Sequence, residues 1–430
     1  MAKELTAKEY FDLGVTQLKA QQYEQAIVEF NLSITINSNY AEAYYNRGKA
    51  YFNLKQYEQA IADFSQAISL QPEKLPLYYY RADAYGKLSQ YEQAVADYST
   101  CIALIPRNEY MYNARGNAYV HLKKYEQAIA DFDMAIAINP NYFFVYNNRG
   151  MIYYAMKQYE KAIANFDKAI AINPKFELAY HNRGKVFYML KQYQQAIADF
   201  DQAIALDSKY AAAYTNRGAA HGQLKHHEQA IADYDQAITL NPKDPVTYFN
   251  RGTEYADLNK LDQAISDYNK AISLDPQYAD VYYNLGLTHA RLNQYKLAIA
   301  DYTKGIALNP QYARTYNNRG VAHTYLKQYE QAIDEYNKAL AIDPKDAITY
   351  YNRGQAYCCL KQYEQAIPDF NKAIALNPHL AVAYYMKGFA LANLNSNREA
   401  ITAFQQAIQL TTDQELIRKA NELIQRLDTP

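Results

Sequence analysis

The sequence predicts an all-α fold of stacked antiparallel helix pairs, and three observations predict it. A 34-residue period runs through the chain without insertion or deletion, marked by Tyr-x-Asn-Arg-Gly strings with glycine at 14, 48, 116, 150, 184, 218, 252, 286, 320, 354 and 388 and Ala82 in the one missing place. Every period also carries an alanine (26, 60, 94, 128 and onward to 400), followed four residues later by Phe or Tyr. Prolines such as Pro72 then stop the pattern, because proline cannot continue the helical hydrogen-bond ladder. A period of this size means copies of one supersecondary piece that bury their apolar faces only by stacking.

The elements follow in order from one copy, Ala41 to Lys74. Tyr44, Gly48 and Tyr51 recur at spacings of four and three, which is one face of a first helix, with Leu54 a turn further on. Lys55-Gln56-Tyr57 reads as a short turn, and Ala60, Phe64 and Ala67 form the stripe of a second helix. Small residues at Gly48 and Ala60 let the two helices approach, and the aromatics fill the space between them. Pro76 and Pro245 are expected to open first helices, where proline is tolerated. Pro368, a turn into its second helix, is expected to distort it locally. From Glu415 to Leu427 the apolar Leu416, Ile417, Ala420, Leu423, Ile424 and Leu427 share one face, which predicts a helix capping the last copy. The organisation expected is therefore twelve contiguous repeats over 7–414, then a capping helix and tail over 415–430. With no comparable helix before Ala7, the first repeat is expected to fray more easily.

Composition narrows the function classes. Charges nearly cancel, 44 Lys plus Arg against 45 Asp plus Glu, which argues against a general affinity for nucleic acid or an acidic membrane. No apolar run approaches the length of a membrane span. Met1-Ala-Lys-Glu-Leu-Thr carries an acid and no apolar stretch, so no secretory signal is expected, and three cysteines are too few for a disulfide framework. A cytoplasmic protein is the expectation.

The offsets of aromatic, Gly, aromatic, Ala, aromatic, Ala and Pro resemble those of the tetratricopeptide repeat family over Ala7 to Gln414. The resemblance implies a right-handed α-solenoid superhelix whose inner wall is made by the first helices. Two departures stand out. The first aromatic, often Trp in the family, is here Tyr, and the residue before glycine, usually Leu, is Arg in nine repeats (47, 81, 115, 149, 183, 217, 251, 319, 353). Sixteen residues after each stands an acid in eight cases, with Asn165 the exception, so an Arg–carboxylate pair joining the two helices of a repeat is expected. Leu285 breaks the correlation, since Asp301 is kept without an arginine.

The resemblance places the second, fifth, sixth, ninth, twelfth and thirteenth positions of each repeat on the inner wall. The sixth holds Asn46, Asn148, Asn182, Asn216, Asn250, Asn284, Asn318 and Asn352, and an amide offers both a donor and an acceptor to the main chain of an extended peptide. The row is similar to the asparagine ladder of the protein O-GlcNAc transferases. The alternatives are that these amides bond between repeats, or were copied with each duplication. From the fourth to the seventh repeat Lys185 is the one charge among Tyr110, Phe144, Met151, Tyr154, Tyr188 and Met189, which suits an apolar anchor. Individual side chains there could equally pack between neighbouring first helices. No fifth position carries the Lys by which related repeats clamp acidic chaperone tails, so that ligand is not expected.

No phosphate loop, H-E-x-x-H, C-x-x-C or nucleophile elbow is present. His221, His289 and His323 stand where Tyr51 stands in its repeat and read as packed replacements; His226 and His227 fall in an interhelical turn and are expected to be solvated. No metal or cofactor is expected. The resulting expectation is a non-enzymatic module that binds a protein or extended peptide along the concave face, with Asn46, Asn148, Asn182, Asn216, Asn250, Asn284, Asn318 and Asn352 gripping main chain beside Met151, Tyr154 and Tyr188. An assembly scaffold working through convex or edge surfaces, self-association included, and a recruiting subunit for a separate transferase are the alternatives.

Overall fold

The computed structural model describes residues 5–428. The expectation drawn from Met1–Thr6 therefore falls largely outside the described residues, as does the end of the tail. Twenty-five helices and no strand occur among those described. None of the helices is long and apolar enough to cross a membrane. The chain forms two compact bodies, one ending at Ala213 and the other beginning at Tyr214.

Within each body the helices alternate as the period requires. In the first repeat α1 (Ala7–Lys19) packs along α2 (Tyr23–Ile36); in the second, α3 (Ala41–Asn53) packs along α4 (Tyr57–Leu70). Tyr57 belongs to the second helix rather than to the turn, which is tighter than expected: Leu54 ends one helix, Gln56 begins the next, and Lys55 between them adopts φ 61°. All twelve such turn residues lie in the left-handed region, and none is glycine. Successive first helices touch, as α1 does α3, whereas second helices make no comparable contact among the described residues. Each body therefore curves with its first helices inside.

The core repeats with the same period. The alanines and aromatics of the second helices are buried, among them Ala60, Phe64, Ala128, Phe132, Ala196 and Phe200 at 0% exposure. Glycine lets the aromatic approach closely: a Cβ on Gly48 would stand 2.7 Å from Phe64 Cε1. Where Ala82 replaces glycine, the facing Tyr98 is 7% exposed, against 0–1% for the aromatics that face glycine. Pro245 opens its helix and Pro76 lies in the first turn of its own, as expected. Pro368 does not break its helix, which runs from Tyr363 to Leu376. It lies in the second turn, where one missing N–H is absorbed by a helix already nucleated and packed on its neighbour. The last helix, α25 (Gln414–Asp428), buries Ala420 with Leu423, Ile424 and Leu427 against Leu391 and Phe404.

The arginines pair as the spacing required, and do more. In Arg47–Asp63, Nε and Nη2 donate to the two carboxylate oxygens at 2.8 and 2.6 Å. The same bidentate bond recurs in Arg81–Asp97, Arg115–Asp131, Arg183–Asp199, Arg217–Asp233, Arg251–Asp267 and Arg353–Asp369. Arg319 donates twice to one oxygen of Glu335, and Arg149 donates to Asn165. The third donor, Nη1, reaches back to the second helix of the preceding repeat, to Asn31, Ser65, Ser99, Asp133, Asp167, Asp235, Thr303 or Asn337. One guanidinium thus ties three helices. Three residues earlier, a tyrosine ring lies 5.4 Å from the Arg47 guanidinium carbon and 5.7 Å from that of Arg183, which explains why Tyr and Arg depart from the family pattern together. Where Leu285 stands instead, His289 Nδ1 bonds Asp301 at 2.6 Å, so the acid keeps a partner.

Candidate functional site

The first helices of each body present the sixth-position asparagines to one face. Four of them bond to the preceding repeat: Asn148 Nδ2 donates to Asn113 and Asn117 Oδ1, Asn182 to Asn147, Asn318 to the Tyr283 hydroxyl and Asn352 to Asn317, at 2.9–3.2 Å. Asn46 and Asn284 donate instead to carbonyls of their own helices. The interval is regular: each lateral bond runs from a sixth position to the fifth of the repeat before, and Asn148 adds one to the ninth. The row is therefore in part a lattice between repeats, which engages one of the two N–H groups of Asn182, Asn318 and Asn352. Among the described residues, none donates a hydrogen bond to Oδ1 of Asn182 or Asn352, and none bonds the Asn250 side chain.

The expected apolar wall divides. Tyr110, Phe144 and Met189 are exposed at 58, 46 and 50%. Tyr154 and Tyr188 instead pack on Tyr159 and Tyr193, at centroid distances of 6.2 and 5.5 Å, while Met151 lies against the core beside Tyr154. Lys185 lies 5.3 Å from the Tyr154 ring, and burial pulls its ammonium pKa down.

Those tyrosine pairs expose a rule that the sequence period conceals. The twelfth position of a repeat packs on the residue at its own seventeenth, and the thirteenth position of the next repeat reaches that residue from the other side. His121 stacks on Tyr91 at 4.3 Å, and Tyr325 on Tyr295 at 4.6 Å. A large twelfth residue such as Phe52, Tyr154 or Tyr188 fills the place. A small one leaves it open at Gly86 and at Ala290. Gly86 faces open space, and a cleft of about 300 Å³ follows, lined by Tyr79, Asp83, Tyr91, Tyr98, Asn117 and His121. Ala290 gives a second of about 340 Å³ beside Tyr295, Tyr325 and Asn318.

Asp83 and Lys87 are the charged groups that line the first cleft, and Asp83 is the acid among them. It is half-buried and makes no ion pair or hydrogen bond through its carboxylate among the described residues; burial pushes its carboxyl up while Lys87 draws it back. The sequence signal was available in Gly86 and Asp83, but not the fact that the two share a cleft with the following repeat.

Histidines depart from expectation in one place. His289 and His323 are each turned to a partner of their own, Asp301 and Gln328. His226 is exposed as expected. His227 is not solvated: it begins the helix His227–Leu240, its side chain is 20% exposed, and its Nδ1 lies 2.7 Å from Glu254 Oε2. The turn is so short that this residue already faces the next repeat.

Helix pairs stacked through their first helices, with clefts between neighbouring repeats, define an array of helical repeats. The chain belongs to the tetratricopeptide repeat family: models of the tetratricopeptide repeat match 41–74, 75–108, 110–142, 132–164, 178–210, 211–244, 279–312, 347–380 and 381–414, and one described as TPR repeat matches 14–55, 150–191, 252–293 and 322–358. Arrays of this family are protein–protein interaction modules, and an architecture of such repeats alone is typically non-catalytic. No curated protein matches the chain. Among solved structures it is similar to the Cut9–Hcn1 hetero-tetramer of the APC/C, at 16% identity over 99% of this chain and 97% of that one with a TM-score of 0.48. It is also similar to yeast Tom70, at 18% identity over 98 and 95% with a TM-score of 0.40. YrrB, a TPR protein described as having an unusual peptide-binding site, is 22% identical over 43% of this chain and 95% of that one, with a TM-score of 0.38.

Proposed function

We propose that the chain holds an extended protein segment along its first-helix face and anchors a basic side chain of that segment in the cleft at Asp83. The observation that carries the reading is a half-buried acid that pairs with no neighbour among the described residues, in an open cleft walled by Tyr79, Tyr91, Tyr98 and His121. A lysine or arginine entering there gains a carboxylate and aromatic faces at once. The exposed Tyr110 and Phe144, in the same body, offer apolar contact nearby in the array. The asparagine row takes a narrower part than full amide pairing. Part of its N–H capacity holds the repeats together, and within the body that carries Asp83 the Asn182 Oδ1 is left to accept an N–H donor from the segment's main chain.

Peptides selected from a random displayed library by the intact chain test this reading. They should be enriched in Lys or Arg flanked by apolar residues, and Asp83→Asn should weaken them about tenfold, the worth of one charge-assisted contact. Asn182→Ala should weaken binding less, without loss of helix content. Peptides that lack basic residues, or that bind Asp83→Asn as tightly as the parent, would refute the anchor.

A further inference from the structure

We infer that His227, Glu254 and Asp257 form a binding site for a single transition-metal dication of the zinc class, built in the place that other repeats leave as a cleft. This inference stands apart from the peptide reading and shares no residue with it. One ligand atom from each of the three side chains lies within 4.8 Å of the other two. Glu254 and Asp257 are three residues apart on the helix Pro245–Asp257, so their carboxylates project from one face a turn apart. His227 approaches them from the start of the helix His227–Leu240. A histidine and two carboxylates on facing helices suit a borderline dication better than Mg²⁺ or Ca²⁺, which favour oxygen alone.

Two departures from an otherwise copied sequence, and two residues at positions that vary from repeat to repeat, build this place. Position ten is Ala, Val, Ile or Thr in every other repeat, and here it is Glu254, only 8% exposed. Position seventeen is Tyr in nine repeats, and here it is His227. Position twelve is Gly222, and a Cβ there would stand 2.2 Å from Glu254 Oε1, so the missing side chain is what admits the carboxylate. Position thirteen of the following repeat, which covers the seventeenth residue with a ring at His121 and Tyr325, supplies Asp257. Duplication explains repetition; it does not explain two departures that meet beside a glycine and a second acid. The His227–Glu254 hydrogen bond at 2.7 Å accounts for both departures as a structural pair, but leaves a second carboxylate converging on the same point.

The geometry needs little movement. Tetrahedral sites with bonds of about 2.0–2.1 Å place ligand atoms roughly 3.3 Å apart. Asp257 is exposed, so its rotation closes the longer gaps and its side opens the site to solvent. The remaining coordination positions are left to water or to a donor from outside.

The test uses the full chain freed of metal by chelator and titrated with Co²⁺ alone, followed by visible absorption and then displaced with Zn²⁺. The parent should bind about one equivalent, and Zn²⁺ should raise its melting temperature. Glu254→Ala and His227→Tyr restore residues that neighbouring repeats carry, so both should keep full helix content, and each should lose at least tenfold in affinity together with the melting shift. His226→Gln, at the exposed turn, should leave binding unchanged. Equal affinity in the parent and Glu254→Ala would overturn the site and leave His227–Glu254 a structural pair. Loss in His226→Gln with retention in Glu254→Ala would also overturn it, by moving the metal to the turn histidines.

Discussion

Replacing Arg183 by leucine should cost far more than neutralising its partner, although both changes break the same ion pair. Asp199 is 5% exposed and receives Nε and Nη2 of Arg183 at 2.8 and 2.6 Å. Burial pushes its carboxyl up, and the guanidinium hydrogen bonds pull it back. Arg183→Leu removes the second influence and leaves a nearly buried carboxylate alone; breaking such a pair from one side costs about 3–5 kcal/mol. Because the Arg183 side chain keeps 21% exposure, water re-enters in part, and about 3 kcal/mol is the working figure. Asp199→Asn instead copies a pair the chain already contains, Arg149 donating to Asn165 at 2.8 Å, and should cost about 1 kcal/mol.

Native-state hydrogen exchange of the helix Tyr193–Leu206, which carries Asp199, separates the two. Protection should fall roughly a hundredfold in Arg183→Leu and less than about tenfold in Asp199→Asn, since about 1.4 kcal/mol is a decade. The sign with pH is also set. Without Arg183 the folded carboxyl titrates above its unfolded value, so the deficit is complete at high pH and is relieved as pH falls through the raised folded value. Adding Phe187→His to Arg183→Leu should restore part of the protection, because His289 serves Asp301 in that way where leucine replaces arginine. Equal losses in the two single variants, or a deficit that does not shrink on acidification, would refute the reasoning from an uncompensated charge.

Three further expectations follow from burial. His181 is 6% exposed and burial lowers its pKa to about 4, so its contribution is complete above about pH 6.5 and is lost as pH falls toward 4, up to about 3 kcal/mol; denaturant midpoints of His181→Asn, which copies Asn147 one repeat earlier, should show a flatter acid limb than the parent. Gly184→Ala would set a Cβ 2.8 Å from Phe200 Cε1 and should lower stability by about 1–3 kcal/mol in thermal melts, whereas a neutral result would mean the aromatic layer yields freely. Ellman's reagent on the native chain should modify Cys359 quickly and Cys101 and Cys358 only on unfolding, because the latter two are buried with thiols pushed up to about 12; three fast thiols would contradict that.

The helix pairs and their ion pairs are legible in the sequence because their information lies within one period. Gly48 against Phe64 and Arg47 against Asp63 are each sixteen residues apart, inside one repeat, and the successive copies display the correlation. The third donor of each arginine is not legible, since its acceptors are Asn, Ser, Thr or Asp, four chemistries that share only the capacity to accept. His289 reads from its position as a plain substitute for tyrosine, although the missing arginine at Leu285 marks an acid in need of a partner. The asparagine row is legible as a row. Its lateral bonds are not, because fifth-position acceptors change from Asn113 to Asn147 to Tyr283 to Asn317 while the donor stays constant.

What the period hides most thoroughly is a contact that it spreads over two copies. The place defined by positions twelve and seventeen of one repeat and ten and thirteen of the next recurs with the same helix-pair backbone, so its contents are free to vary without disturbing the stack. It holds a ring in Tyr154 and Tyr188, an acid-lined cleft at Asp83, an apolar cleft beside Tyr325, and a histidine with two carboxylates at His227. The recurring lattice of arginines permits this variation, because its bonds hold each repeat to the last without passing through the variable place. A repeat array can therefore diversify chemistry one cleft at a time. Restoring the common residue at one such place should then abolish its ligand while leaving the binding at every other intact, and coupled losses between Asp83 and Glu254 would show that the places are not independent.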